Sequence, residues 1–411
     1  MSQPVSHETA ALYEAERLMH GGDFESAVKI LQDVVDWGAT LEAVGLLATS
    51  YLELGEYDDA LRYASLAVNT EPFSIPARDL LARVNLVLGR YASALSDYVA
   101  VAALSNEQRP VPPDKYSIPA HFALRTVEQL DHILTTGDYD AKAFAGVFAE
   151  ELDGLRRQLT NMIDGANGQA PSVSVQGRNS RILADPPYVR APEEKLPRYL
   201  NASVDYRPIQ EGVSTGREKV QVIDDFLTPG ALEQVQKFCL ESTVWRHPYR
   251  FGYVGAFPHD GFASTSLFAI AEEFQTALGE AFDGYYLAQW WGFEYDAKLP
   301  GTDIHGDDAD FSLNFWITPD AANLDPNTGG LVIWDKKAPS NWSFNDYNSG
   351  GDRVRQFLRD QGAESMTIPY RENRAVLFEG HLFHRTDDFS FAPGFANRRR
   401  SLTFLFRRGK R

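Results

Sequence analysis

Apolar residues fall on two different periods along the chain. Through the first hundred positions they recur every three or four residues, as in Leu46, Leu47, Tyr51 and Leu54, then Ala60, Leu61, Ala64 and Leu66. That spacing marks one face of an α-helix. The same texture runs on over 119–163, through His121, Phe122 and Leu124, then Phe144, Phe148, Leu152 and Leu155. Past residue 218 the period shortens. Runs at 220–223, 285–295, 311–317, 330–334, 375–378 and 401–406 are β-rich and separated by turn residues, which predicts an all-β sandwich or barrel. Two helices interrupt it. Thr228 followed by Pro229 reads as an N-cap and first helical residue leading into 231–239, and 267–282 keeps helical spacing. Between the two textures, residues 164–187 are rich in Gly, Ser, Asn and Pro, a linker by composition or an ordered loop lying on one of the domains.

A single pattern recurs within the helical stretch: Gly22-Asp23-Phe24-Glu25-Ser26-Ala27, Gly55-Glu56-Tyr57-Asp58-Asp59-Ala60 and Gly89-Arg90-Tyr91-Ala92-Ser93-Ala94. The glycines stand 33 and 34 residues apart, the period of a helix-turn-helix solenoid unit. A small residue serves the turn, and the alanine lets the helices approach closely. The G-x-[FY]-x-x-A pattern resembles the tetratricopeptide repeat family. The helices of 119–163 lack the signature and are expected to cap or extend the solenoid. The predicted organisation is a repeat domain over 1–163, a linker and entry segment over 164–204, and a β-rich domain over 205–411.

Composition narrows the function. With 411 residues and a net charge of −18, the chain is a poor partner for nucleic acid or an anionic membrane surface. No leader or spanning segment is predicted, so a cytoplasmic location is expected. Cys239 is the only cysteine, so neither a disulfide framework nor a thiolate cluster can form within the chain. Any metal must be held by histidine and carboxylate.

Four stretches of the β-rich half carry candidate chemistry in a fixed order: His305-Gly306-Asp307, Gly329 to Trp334, Val376 to His384, and Arg399 to Phe404. Two histidines and one carboxylate on one face of a metal leave positions open for a chelating cosubstrate and O2. On an extended segment His305 and Asp307 share a face, whereas Asp308 points to the other side. By the same rule Arg399 and Ser401 share a face, where a guanidinium and a hydroxyl can grip a carboxylate.

The ordered set resembles the Fe(II)- and 2-oxoglutarate-dependent oxygenase superfamily, in particular its prolyl-hydroxylase-like branch. The likeness covers roughly residues 205–408 and includes the entry segment V-I-D-D-F-L-T-P-G at 222–230. It implies a double-stranded β-helix, or jelly roll, with supporting helices. It also implies His305, Asp307 and His384 as iron ligands, with His381 as the alternative third ligand three residues earlier. Arg399 and Ser401 would bind 2-oxoglutarate, with Arg400 as the alternative if the register shifts by one. Tyr295 matches a family tyrosine that reaches the cosubstrate, and Asn314 is a similar candidate; core packing is the competing role for both. Trp290, Trp291 and Trp316 are expected in the core. The aromatic segment 249–262 and the polar-aromatic insertion 336–353 are candidate pocket linings.

The activity implied is hydroxylation coupled to conversion of 2-oxoglutarate to succinate and CO2. Halogenating relatives replace the ligand carboxylate with a small residue, and Asp307 retains it. The repeats suggest a peptide or protein substrate, or a docking partner, while a small metabolite is the alternative within the enzyme class. A repeat scaffold with a catalytically silent oxygenase domain is the alternative outside it.

Overall fold

Each of the three repeated glycines lies where the backbone turns left-handed, with φ of +80° at Gly22, +85° at Gly55 and +68° at Gly89. A side chain there would be strained, so the recurrent glycine follows from the turn. The turns join helices in pairs: α1 (His7–His20) with α2 (Phe24–Trp37), α3 (Leu41–Leu54) with α4 (Tyr57–Thr70), and α5 (Ile75–Val87) with α6 (Tyr91–Glu107). Side-chain caps start several of them, from Asp23 to Ser26 N, Thr40 to Ala43 N and Ser74 to Ala77 N. The signature alanines Ala27, Ala60 and Ala94 are wholly buried, which is what close helix approach requires.

The computed structural model describes residues 7–38, 40–110, 115–137, 149–165, 171–176, 183, 186–249, 252–296 and 301–410. Phe144, Phe148, Arg250, Phe251 and parts of the 164–187 segment lie outside the described residues. Two compact units are present, one formed by residues up to 107 with 284–288 and 408 onward, the other by 108–283 and 289–407. Among the described residues no helix is long and apolar enough to cross a membrane.

The second unit is built on antiparallel sheet. A seven-stranded sheet runs in the order β3 (Val220–Ile223), β10 (Ala375–Glu379), β7 (Phe311–Trp316), β12 (Arg399–Arg408), β6 (Tyr285–Tyr295), β5 (Tyr253–Ala256) and β4 (Trp245–Pro248). A three-stranded sheet has the order β11 (Leu382–Thr386), β8 (Leu331–Lys337) and β9 (Ser365–Ile368). One apolar cluster joins them, with Trp316, Val376 and Phe378 from the larger sheet and Leu331, Ile333, Ile368 and Leu382 from the smaller. The opposite face of the larger sheet packs on helices. Phe274 of the helix Thr265–Leu278 meets Phe226 and Phe406, and Phe315 meets Phe404. The helix Pro229–Glu241 has the expected Thr228 cap and Pro229 in its first turn. A separate pair, β1 (Lys115–Pro119) with β2 (Ser172–Gln176), takes its second strand from the segment read as linker or ordered loop.

Beyond the repeats, helix α7 (Ala120–Thr136), which the sequence texture continues from the solenoid, packs within the second unit. The reason is polar. Arg125 of α7 meets Glu294 of β6 at 3.2 Å with both side chains buried, and Gln129 donates to the carbonyls of Leu240 and Ser242. Glu294 also accepts from Arg400 at 2.8 Å, while Arg398 meets Glu128 at 2.7 Å and Asp296 at 3.3 Å. These guanidiniums hold the Glu294 carboxyl below its ordinary pKa against the opposing effect of burial. Removing one partner of a buried ion pair leaves an uncompensated charge in low dielectric. Glu294→Ala is therefore expected to lower stability by roughly 3 kcal/mol or more, read from the midpoint of chemical unfolding, with helical repeat content by circular dichroism as the internal control.

Candidate metal centre

Residues His305 and His384 face each other across an isolated antiparallel bridge. The His305 amide donates to the His384 carbonyl at 3.0 Å and the His384 amide to the His305 carbonyl at 2.8 Å, while the Asp307 amide donates to the Gly380 carbonyl at 2.9 Å. Directly opposed residues present their side chains on one face, and a residue two positions along shares it. The imidazole centroids stand 4.3 Å apart. His305 Nε2 lies 3.8 Å from Asp307 Oδ1, and His384 Nε2 lies 3.5 Å from Asp307 Oδ2. The three residues offer one ligand atom each within 4.8 Å of one another.

Both imidazoles are fixed in one tautomer. His305 Nδ1 lies 2.7 Å from the Asp303 carbonyl, and His384 Nδ1 lies 2.9 Å from the Leu382 carbonyl. A carbonyl only accepts, so each Nδ1 carries the proton and each Nε2 turns a lone pair toward the centre. The Ser312 hydroxyl donates to Asp307 Oδ2 at 2.7 Å and orients the carboxylate. This donor set of two imidazole nitrogens and one buried carboxylate oxygen fits a borderline dication such as Fe(II).

The other acidic residues of 303–310 point elsewhere. Asp308 is exposed and paired with Arg407, Asp303 is exposed and paired with Arg355, and Asp310 is exposed. His381 is also exposed, whereas His384 is buried in the cluster. On the far side of the same loop, Ile304 and Phe383, the neighbours of the two histidines, pack with Val354, Leu358, Trp342 and Phe357. The 336–353 insertion thus supplies Trp342 to the back of the loop, and the Tyr347 carbonyl accepts from the Gly306 amide at 3.1 Å.

The triad lines a narrow cavity of about 30 Å³ that opens to solvent. Its walls include Trp291, Phe293 and Tyr295, alternate residues of β6, together with Leu331 and Phe378. Trp290 and Trp316 are buried in the core, so alternation separates Trp291 from its neighbour. Arg399, Ser401 and Thr403 line the same cavity from one face of β12, and Asn314 from β7. Arg400 faces the other way and belongs to the Glu294 network.

Arg399 is wholly buried and held from two sides. Its Nε donates to the Gly329 carbonyl at 2.6 Å and one Nη to the Gly330 carbonyl at 3.1 Å, and its guanidinium lies 4.7 Å above the Tyr295 ring. Gly329 sits at φ +87°, and a Cβ on Gly330 would come within 1.9 Å of the Ile368 carbonyl, so the turn that presents these two carbonyls needs both glycines. The remaining Nη1 is buried without a partner. So is Asn314 Oδ1, while Asn314 Nδ2 contacts the Thr403 hydroxyl at 2.8 Å. Rotating the amide keeps a bond to Thr403 and turns a donor into the cavity instead. Tyr295 OH lies 2.9 Å from Thr302 Oγ1 and 3.3 Å from Thr386 Oγ1. Sequence reasoning missed Ser312, Thr302, Thr386 and Thr403. Only Thr403 carried a signal, sitting two residues beyond Ser401.

No family model matches the chain, and no curated protein matches it. Solved structures with local likeness include the TPR2B domain of yeast Sti1 in its pHsp70 complex, at 16% identity and a TM-score of 0.24, covering 38% of this chain and 97% of that one. They also include two proteins from nogalamycin biosynthesis. The non-heme alpha ketoglutarate dependent epimerase SnoN has 12% identity and a TM-score of 0.34, covering 48% of this chain and 82% of its own. The non-heme alpha ketoglutarate dependent carbocyclase SnoK has 10% identity and a TM-score of 0.35, covering 50% and 87%.

Two outcomes follow from this geometry. Asp307→Ala is expected to weaken ferrous-ion affinity by on the order of a hundredfold, whereas Asp308→Ala and His381→Ala keep it, as read by equilibrium dialysis under anaerobic conditions. The second concerns the metal-free protein. Burial, then the neighbouring His305, pulls the His384 imidazole down to about 4, with Asp307 opposing. The unfolded chain, near 6.5, takes this proton first. The stabilisation is full above about pH 6.5 and is lost as pH falls towards 4, by roughly 3 kcal/mol for this group. Denaturation of chelator-treated protein across that window should show the slope, and His384→Gln should reduce it.

Proposed function

We propose that this chain is an Fe(II)- and 2-oxoglutarate-dependent dioxygenase that hydroxylates a peptide, protein or small-molecule substrate. The catalytic domain is proposed to span 205–411 as a double-stranded β-helix, and the tetratricopeptide-like repeats to dock the substrate or a partner. The observation that carries the reading is the pairing, in one cavity, of a preset two-histidine, one-carboxylate cluster with a buried arginine that has a free donor. A fully desolvated guanidinium with an unpaired nitrogen is costly unless an anion completes it. A ligand with two acidic ends, chelating at one and forked by arginine at the other, answers both demands.

When bound, iron would supply activation of O2 coupled to decarboxylation of the oxoacid. The chain's own residues would do the rest. His305 and His384 would give their Nε2 lone pairs, and Asp307 would add a carboxylate oxygen and offset one unit of metal charge. Ser312 would hold that carboxylate in place. Arg399 would receive the distal carboxylate of 2-oxoglutarate, with Ser401 as a further donor and the Gly329 and Gly330 carbonyls keeping the guanidinium in plane. Tyr295, from beneath the guanidinium, would present its hydroxyl to the same region, and Asn314 would face the cosubstrate from β7. Trp291, Phe293, Leu331 and Phe378 would restrict water around the reacting atoms.

The test is formation of succinate from 2-oxoglutarate by the untagged protein with Fe(II) and ascorbate, alone and with fractionated extract, together with a search for products heavier by one oxygen. Arg399→Leu is expected to raise the 2-oxoglutarate concentration for half-maximal turnover by about a hundredfold with ferrous-ion affinity unchanged. Failure of the wild-type protein both to bind iron and to form succinate would leave the silent scaffold as the reading of this chain.

A further inference from the structure

A second convergence of metal-ligating groups lies at the edge strand of the larger sheet, apart from the cavity. His247 lies near the end of β4, and His259 and Asp260 belong to the short turn Pro258–Asp260 that follows β5. His247 Nε2 lies 2.5 Å from Asp260 Oδ2, and His259 Nε2 lies 3.3 Å from that same oxygen. The imidazoles are crossed at 71° with centroids 5.3 Å apart, and their Nε2 atoms converge on that one carboxylate oxygen. The other carboxylate oxygen, Oδ1, is 3.4 Å from Arg109 Nη2. That contact leaves Asp260 one oxygen for the imidazoles and fixes its orientation, as an outer hydrogen-bond partner does for a ligand carboxylate. A single histidine-aspartate hydrogen bond would need only His247.

We propose that His247, His259 and Asp260 form a second site for a borderline dication of the zinc, cobalt or nickel kind. Two nitrogens and one oxygen suit these ions and exclude calcium and magnesium, which take oxygen ligands. The Asp260 side chain is 7% exposed, while those of His247 and His259 are 42% and 54% exposed. The ion therefore enters from solvent and keeps water in its remaining positions, as open three-ligand sites do. Its binding would tie β4 to the 258–260 turn. The Phe257 ring lies between His247, at 5.0 Å, and the cavity-wall residue Phe293, at 6.3 Å. Occupancy would thus stiffen a hairpin that backs the wall of the first site.

The proposal does not rest on the oxygenase reading, and its test removes the first cluster. Untagged His305→Ala/His384→Ala protein is titrated with cobalt(II) alone, followed by visible absorption and by the shift in thermal midpoint. One bound equivalent, with ligand-field bands that disappear on adding His259→Ala, is the expected result. In the otherwise wild-type chain, His259→Ala is expected to lower the bound cobalt from two equivalents to one. That second arm does not depend on folding of the double variant. Cobalt binding that is indifferent to His259→Ala in both backgrounds, or a wild-type stoichiometry of one that His259→Ala leaves unchanged, overturns the proposal.

Discussion

A guanidinium taken out of water must be met by acceptors or by negative charge, and the chain takes three in succession out of water at the start of β12. Arg398, Arg399 and Arg400 are all buried. Strand alternation sends Arg400 to the helix-covered face and Arg399 to the cavity. On the helix side the charges match: Glu128, Glu294 and Asp296 face Arg125, Arg398 and Arg400. On the cavity side, among the described residues, no carboxylate comes within ion-pair distance of Arg399; it meets two glycine carbonyls and aromatic rings, Tyr295 among them, and feels the buried Asp387 carboxylate from farther off. The back network fixes the register of β6 and β12, and the register decides which arginine is left wanting an anion.

The loop that carries the candidate metal ligands depends on the same alternation carried through irregular backbone. The mutual amide-carbonyl bonds of His305 and His384 replace a longer ladder, and the two imidazoles face Asp307 from that bridge. Their neighbours Ile304 and Phe383 point outward, where an exposed pair of large apolar groups would cost about 2 kcal/mol each in lost burial. The helix Gly351–Asp360 and Trp342 cover them. The insertion between β8 and β9 therefore supports the site from behind, by closing the apolar side of a loop whose polar side carries the chemistry.

The period of the apolar residues made much of this legible. The glycine spacing marked the three helical turns, and the period-two rule alone chose Asp307 over Asp308 and placed Arg399 with Ser401. Strands β3 and β6 match the expected limits at both ends. The illegible features share a cause: they depend on partners distant in sequence. The attachment of α7 through Arg125 and Gln129 requires knowing that Glu294 and the Leu240 carbonyl lie opposite. Composition groups Trp291 with Trp290, yet its position two and four residues from Phe293 and Tyr295 assigns it to the cavity face.

The two histidine clusters differ in what an arriving ion must do. At the first, both imidazoles are held through Nδ1 by backbone carbonyls and the carboxylate by Ser312, with His384 and Asp307 buried. Most of the ordering cost is met by folding, so binding energy is free for orienting whatever shares the metal. At the second, two half-exposed imidazoles meet over one buried carboxylate, and side-chain freedom remains to be lost on binding. The first arrangement suits a resident ion that must hold its geometry through turnover. The second suits an ion that comes and goes with its concentration, and its contact with Phe257 makes the stiffness of the cavity wall the property through which that exchange would be felt.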